Sequence, residues 1–175
     1  MQYKYIFLIF VSLALSACSA NKQNTPNGTT PLHIIYATQY LGLHEQKDQK
    51  QLQRFVRVNP VRIEWCAAFV NAVLDAIGIT GTGSLSARSF LKWGESTDHP
   101  QLGDIMVFRR GNNIWQGHVA FYLGTIEKNN KTYYKILGGN QGDMVKISYY
   151  PAKHLIGIRT IKNSQLILTE SNFTN

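Results

Sequence analysis

The residue with the clearest potential for chemistry is Cys66, in the stretch IEWCAAFVNAVLDAIG. Apolar side chains follow it at i+3, i+4, i+7 and i+11, which is one stripe of an amphipathic helix. The thiol therefore faces inward in the first turn, and Gly78 is a natural end for the helix. A helix N-terminus and a nearby imidazolium both lower the pKa of a thiol. We accordingly expect Cys66 to be an ionised nucleophile.

His118 is the candidate base. It starts an apparent strand over residues 118–126, in which it shares one face with Ala120 and Tyr122 while the other face is fully apolar. Taken alone, such a histidine is more often structural than catalytic. Its neighbourhood in the folded chain decides between the two interpretations.

Two amides reach the same end of the predicted hairpin. A turn at "EKNNK" between strands 118–126 and 132–139 pairs residues whose numbers sum to about 259, which places His118 opposite Gln141. A bulge or an odd-length loop shifts the sum to about 258 and places Asn140 there instead. Either amide could accept the second N–H of the imidazole and fix its tautomer. Cysteine, histidine and an orienting amide form the Cys-His-Asn variant of the nucleophilic triad.

The elements that position these residues form an α+β pattern. Helical spacing dominates residues 32–59 and 63–78, and a short helix follows a glycine–serine loop within 81–94. After Pro100 the residue pattern becomes that of strands separated by turn residues. Five are predicted: 104–108, 118–126, 132–139, 145–150 and 156–161. Helices followed by an antiparallel meander indicate N-terminal helices packed on a C-terminal five-stranded sheet.

The N-terminal residues precede this domain. Residues 1–17 carry one lysine and an apolar run too short to span a bilayer, which is typical of a secretory signal. "LSAC" resembles a bacterial lipobox, so Cys18 is the predicted lipidation site and residues 18–31 a flexible tether. The alternative is an ordinary signal cut nearby. If Cys18 were retained without lipid, a disulfide between Cys18 and Cys66 would be the simpler explanation for both cysteines.

Domain organisation and charge narrow the choice of partners. Residues 32–162 are predicted to form one domain, and the tail 163–175 has no firm pattern. The net charge is +8, but the basic residues are scattered and no aromatic residues alternate with them, so nucleic acid is not an expected partner. The remaining histidines lack metal-ligand spacing, and we predict no metal and no cofactor.

Six motifs, taken in order, carry a resemblance to a known family. They are EWCAAFVNAVL, LSARSFLKWG, GDIMVF, GHVAFYLG, GGNQGDMVKISYYP and IGIR. This series resembles the CHAP group of cell-wall hydrolases (cysteine, histidine-dependent amidohydrolases/peptidases) of the papain-like NlpC superfamily, especially its compact subgroup. The resemblance covers about residues 34–159. It implies a papain-like fold with Cys66 as nucleophile, His118 as general base and Asn140 as the residue that orients the imidazole.

The resemblance also implies a substrate, an amide bond of peptidoglycan, either at the sugar–peptide junction or within the stem or cross-bridge peptides. Two tryptophans, Trp65 and Trp93, are the favoured candidates for lining a sugar-binding cleft, ahead of Trp115, and core packing is the competing interpretation for all three. The other predicted substrate contacts are Ser86, Arg88 and Gln141, with Arg88 a candidate partner for a stem-peptide carboxylate. Family members usually carry proline or a small residue where this chain has Glu64.

These observations predict a monomeric thiol amidohydrolase anchored in the bacterial envelope. Serine after Cys18 fits outer-membrane sorting, so we expect the periplasmic face of the outer membrane. An envelope protein that inhibits or activates the enzyme is a further candidate partner. The alternatives are a wall-binding lipoprotein without catalysis, or a thiol acyltransferase or toxin-like amidase on the same fold.

Overall fold

The computed structural model describes residues 30–161 of the chain. The predicted signal peptide, the lipidation site Cys18, most of the tether and the tail 163–175 lie outside these residues. Within them, none of the helices has the length and apolar character needed to cross a membrane. Three α-helices come first, and two short 3-10 helices follow later in the chain. The α-helices are α1 (Leu32–Thr38), α2 (Gln49–Val56) and α3 (Cys66–Ala76), and the 3-10 helices are Ala87–Lys92 and Ala152–His154.

The second half of the described chain forms one antiparallel sheet of six strands, in the order β1-β6-β2-β3-β4-β5. The strands are β1 (Glu95–Ser96), β2 (Ile105–Arg109), β3 (Gly117–Lys128), β4 (Lys131–Gly138), β5 (Lys146–Pro151) and β6 (Leu155–Thr160). The sequence predicts five of them. The sixth, β1, has two residues and pairs with the edge of β6 through Glu95 and Thr160. A strand this short has no periodicity to detect.

Helix α3 packs across the middle of the sheet. Its apolar stripe is fully buried, and Ala67 and Ala68 are small enough for the first turn to lie close to the strands. The main core contains this stripe together with alternate residues of β2, β3 and β4, such as Val107, Val119 and Leu137. The fold is therefore the α+β arrangement with a papain-like order of helix and sheet that the sequence predicts.

The hairpin of β3 and β4 changes register along its length. Near the loop, Thr125 pairs with Tyr134, a sum of 259, whereas beyond a bulge between Tyr122 and Gly124 the sum becomes 258, as in Phe121 with Leu137. Continuing the second register would place Asn140 opposite His118. However, β4 ends at Gly138, so the chain leaves the ladder before it reaches that position.

Candidate active site

Cys66 is the first residue of α3, and its side chain is only 3% exposed. The backbone N–H groups of Ala67 and Val119 are near enough to its sulfur to lower the pKa of the thiol. Since Val119 directly follows His118, the beginning of α3 lies against the beginning of β3. The described residues contain no other free cysteine.

The protonation of this thiol differs from the sequence expectation. Burial raises the pKa of Cys66, because the sulfur has lost the water that would stabilise its charge. The two backbone N–H groups and the Arg110 guanidinium lower the pKa again, and Glu64 raises it, but desolvation is the largest effect. The helix N-terminus does not overcome this loss of solvation. In the free protein Cys66 is therefore a neutral thiol rather than a thiolate.

His118 is fully buried at the start of β3. Its Nε2 lies 3.3 Å from Oε1 of Gln141. The amide nitrogen of Gln141 donates to the carbonyl oxygens of Gly138 and Lys146, so the glutamine oxygen is left as the acceptor. The proton of His118 therefore resides on Nε2, and Nδ1 has a free lone pair.

That second nitrogen is the most unusual atom of the site. Nδ1 of His118 is buried and has no hydrogen-bond partner in the described structure. The thiol of Cys66 is accordingly not hydrogen-bonded to the ring. Buried polar atoms are nearly always paired, so this unpaired acceptor, on the residue before Val119, is a candidate place for a proton to be received.

The surroundings of His118 keep the ring uncharged. Burial and the positive charge of Arg110 lower its pKa to about 4, and the hydrogen bond that Nε2 donates to Gln141 only partly opposes them. The ring also stacks on Tyr150, with 5.0 Å between the centroids and 13° between the planes. Burial likewise raises the pKa of Tyr150, which stays a neutral phenol. The site thus holds a neutral thiol, a neutral imidazole and a neutral phenol.

The role predicted for Asn140 is corrected by the structure. Asn140 adopts a positive φ of 54°, which turns the chain just after β4. Because of this turn Gln141, rather than Asn140, reaches His118. The amide nitrogen of Asn140 instead donates to Oε2 of Glu64 at 2.7 Å. The amide that contacts the His118 ring is therefore one position later in the chain than the resemblance implies.

A cleft of about 550 Å³ opens in front of Cys66. The 3-10 helix Ala87–Lys92, the loop before it and the connection between β2 and β3 form its walls. Its lining residues are Glu64, Cys66, Leu85, Ser86, Ala87, Arg110, Gly111, Trp115, Gln116 and Gly117. The volume is sufficient for several residues of a peptide or for a sugar ring.

Comparison with known protein families agrees with this geometry. Residues 58–140 match the family model described as the CHAP domain. This segment of the chain is similar to CHAP domains. The match includes both Cys66 and His118 and ends at Asn140. No relative was found among curated proteins. CHAP domains are usually hydrolases that act on peptidoglycan, as amidases or peptidases.

The three tryptophans are arranged differently from the expectation. Trp65 is fully buried and donates its indole N–H to Glu45, and Trp93 is nearly buried and donates to the carbonyl oxygen of Thr80. Both belong to the core and do not line the cleft. Trp115, the less favoured of the three, is 69% exposed and lies in the cleft wall.

The other predicted substrate contacts have mixed outcomes. Ser86 lines the cleft in front of Cys66. Arg88 does not, because its Nε donates to the carbonyl oxygen of Gln116 and its side chain lines a neighbouring pocket. Gln141 is buried beneath His118 and is out of reach of a substrate in the cleft.

Two residues of the site escaped the sequence analysis. Arg110 follows β2, whose pairing of Phe108 with His118 places the next residues at the mouth of the site. Tyr150 is in β5, two strands from the histidine. The hairpin geometry could have indicated Arg110, whereas the stack of Tyr150 on His118 depends on side-chain directions that periodicity does not supply. Within residues 30–161 no group of three or more metal-binding side chains occurs, and the absence of a metal stays a prediction.

Proposed function

We propose that this protein is a peptidoglycan hydrolase that cleaves an amide bond through a Cys66 thioester. The observation that carries the proposal is the unpaired Nδ1 of His118, buried at the start of β3 where the Cys66 sulfur lies. A base that is neutral, oriented through its other nitrogen and free of any competing partner is suited to accept the proton of a thiol. The CHAP domain supports peptidoglycan as the substrate.

The mechanism begins from the neutral pair. As the sulfur attacks the amide carbonyl carbon, the thiol proton moves to Nδ1 of His118 and negative charge develops on the carbonyl oxygen. Backbone N–H groups at the start of α3 provide part of the stabilisation of that oxygen. The imidazolium then protonates the amine, the carbon–nitrogen bond breaks, and an acyl-enzyme remains. Water attacks the thioester with His118 as base, which releases the carboxylic acid and restores the thiol.

The location of the enzyme is part of the same proposal. A lipid on Cys18 would hold the protein at the periplasmic face of the outer membrane, and the tether would let the catalytic domain reach the wall. A Cys18→Ser variant provides the control. It should leave the membrane fraction and still digest purified sacculi, because the catalytic cysteine is unchanged.

The test of the chemistry uses purified sacculi. Cys66→Ala and His118→Ala should each lower the release of soluble fragments by about 10³-fold or more, because each removes a member of one catalytic unit. Mass spectrometry of the fragments released by the parent identifies the amide that is cut. Circular dichroism checks that the variants are folded. If either folded variant digests sacculi as fast as the parent, or if the parent binds sacculi without releasing fragments, the proposal fails.

A further inference from the structure

The mouth of the cleft contains a charged cluster that the catalytic steps do not use. Oε2 of Glu64 accepts from Nη1 of Arg110 at 3.1 Å and from Nδ2 of Asn140 at 2.7 Å. One carboxylate oxygen therefore serves both a guanidinium and an amide. Both contacts use the carboxylate of Glu64, so the cluster depends on this residue.

Arg110 is the positive charge of the cleft. Among the described residues that line it, Arg110 is the one cation and Glu64 the one anion. The guanidinium is also close enough to the reacting groups to lower the pKa of Cys66, of His118 and of Tyr150. Arg110 and Cys66 line the same cleft, so a negative group bound to Arg110 would share that cleft with the scissile amide.

The Glu64 carboxylate can be replaced by another carboxylate as the partner of Arg110. The Glu64 side chain is 76% exposed and that of Arg110 is 44% exposed. Exposed ion pairs contribute little to stability, because water and salt compete for both charges. A second carboxylate that enters the cleft can therefore replace Glu64 at little cost, and the guanidinium fork suits carboxylate geometry.

We propose that Arg110 and Asn140 bind a carboxylate of the substrate and that Glu64 occupies their place in the free enzyme. The inference rests on the proposed function, because peptidoglycan stem peptides carry free carboxylates close to their amide bonds. It gives Asn140 a part in substrate recognition, and it assigns to Arg110 the contact that the sequence suggests for Arg88. Glu64 acts as an internal competitor that anionic substrates must displace.

The test compares native sacculi with sacculi whose carboxylates have been converted to amides. Arg110→Gln should raise KM on native sacculi by roughly tenfold, the scale of a lost charge-assisted hydrogen bond. It should change KM little on amidated sacculi. Glu64→Gln, which keeps an oxygen to accept from Asn140, should lower KM on native sacculi about threefold or more, because removing an exposed competing charge has a smaller effect.

Arg109→Gln is the matched control. Arg109 is the neighbouring exposed arginine and its loss changes the net charge equally, but it does not line the cleft in front of Cys66. Its KM on both kinds of sacculi should stay at the parental value. If Arg110→Gln and Arg109→Gln raise KM equally, the effect is one of overall charge and the inference is wrong. If Glu64→Gln raises KM instead of lowering it, Glu64 itself contacts the substrate and the competitor role is wrong.

Binding without turnover separates this inference from the proposed function. In a Cys66→Ala background, co-sedimentation with native sacculi should show roughly tenfold weaker binding when Arg110 is also changed to Gln. The same comparison on amidated sacculi should show no difference. If the parent releases no fragments while the binding difference persists, hydrolysis is refuted and carboxylate recognition stands. If the double variant binds native sacculi as well as Cys66→Ala does, carboxylate recognition is refuted whatever the activity.

Discussion

At the scale of single residues, burial determines which protonation state the catalytic pair adopts. A thiol and an imidazole can form either a neutral pair or an ion pair, and both charges of the ion pair lose solvation in a buried site. Burial raises the pKa of Cys66, and with Arg110 it lowers the pKa of His118 to about 4. Near neutral pH the pair is neutral. In the proposed mechanism the charge separation therefore takes place during the attack on the substrate.

The neutral state of the pair predicts where the rate falls on the acid side of the pH–rate profile (the acid limb). His118 must be unprotonated to act as a base, so kcat/KM should fall on acidification near pH 4 rather than near the ordinary value of 6.5. Initial rates of sacculus digestion at constant ionic strength measure the limb. Return to neutral pH after each acid exposure checks that the lost rate was not lost folding. A limb between about pH 6 and pH 7 would mean that His118 is solvated and that the neutral pair is wrong.

Gln141 is predicted to position His118. Gln141→Leu removes the acceptor from Nε2, so kcat should fall about 10- to 100-fold, the usual scale for a group that orients a functional histidine. The hydrogen bond that His118 donates to Gln141 raises the pKa of His118, so its loss should move the acid limb to lower pH. Gln141→Glu should move the limb to higher pH, because a carboxylate favours the imidazolium. A merely structural glutamine would leave the limb in place in both variants.

Asn140→Ala is the comparison for that experiment. In the parent, the amide of Asn140 contacts Glu64 and makes no hydrogen bond to the His118 ring. The acid limb of Asn140→Ala should therefore match that of the parent. If Asn140→Ala moves the limb and Gln141→Leu does not, the orienting amide is Asn140 after all.

At the scale of secondary-structure elements, the site depends on how closely α3 approaches the end of β4. Gly139 follows β4, and a side chain there would collide with the Trp65 ring and lie 2.7 Å from Cβ of Phe69. Both neighbours are fully buried and cannot move aside. A residue without a side chain is therefore required at position 139 for the beginning of α3 to lie against the beginning of β3.

Gly139→Ala should consequently destabilise the fold by about 1–3 kcal/mol, the range for overpacking a core. Chemical denaturation measures the free energy of unfolding. Gly157→Ala in β6 is the control, since the added methyl group would meet only the end of the flexible Leu91 side chain and should have a smaller effect. Equal losses in the two variants would show that the close approach of α3 is not the cause.

The elements were largely predictable from the sequence, and the contacts at their ends were not. The stripe from Cys66 to Ile77 predicts α3 because periodicity identifies a buried face, and the alternation in β2 to β6 predicts the strands for the same reason. The choice between Asn140 and Gln141 depends on the bulge near Gly124 and on the positive φ of Asn140. Both are single-residue features that shift a side chain without changing the pattern around it.

The tryptophans illustrate the same limit. Trp65 and Trp93 lie within recognisable motifs, and those motifs exist because both rings fill the core, each with its indole N–H satisfied by a neighbour. Trp115 lies in a loop without periodicity, where a sequence pattern cannot indicate whether a side chain faces a cleft. A motif identifies residues that the fold requires, whereas the folded arrangement decides which of them a substrate can touch.

At the scale of the whole molecule, buried histidines connect the site to stability. His33 and His118 are both buried, and burial lowers the pKa of each below the ordinary value of 6.5. The unfolded chain binds a proton at these positions more readily than the folded chain does. The free energy of unfolding is therefore highest above pH 6.5 and falls as the pH decreases toward the folded-state pKa values.

The size of the His118 contribution can be tested directly. A pKa lowered from 6.5 to about 4 corresponds to about 3 kcal/mol of stability, lost between those two pH values. In His118→Gln, which cannot gain that proton, the fall between pH 7 and pH 4 should be smaller than in the parent by about this amount. Urea titrations at a series of pH values measure both curves, and the remaining fall in the variant includes the part due to His33. If the curves of parent and variant run parallel through this interval, the folded ring takes up its proton as readily as the unfolded one, and burial does not lower the pKa of His118.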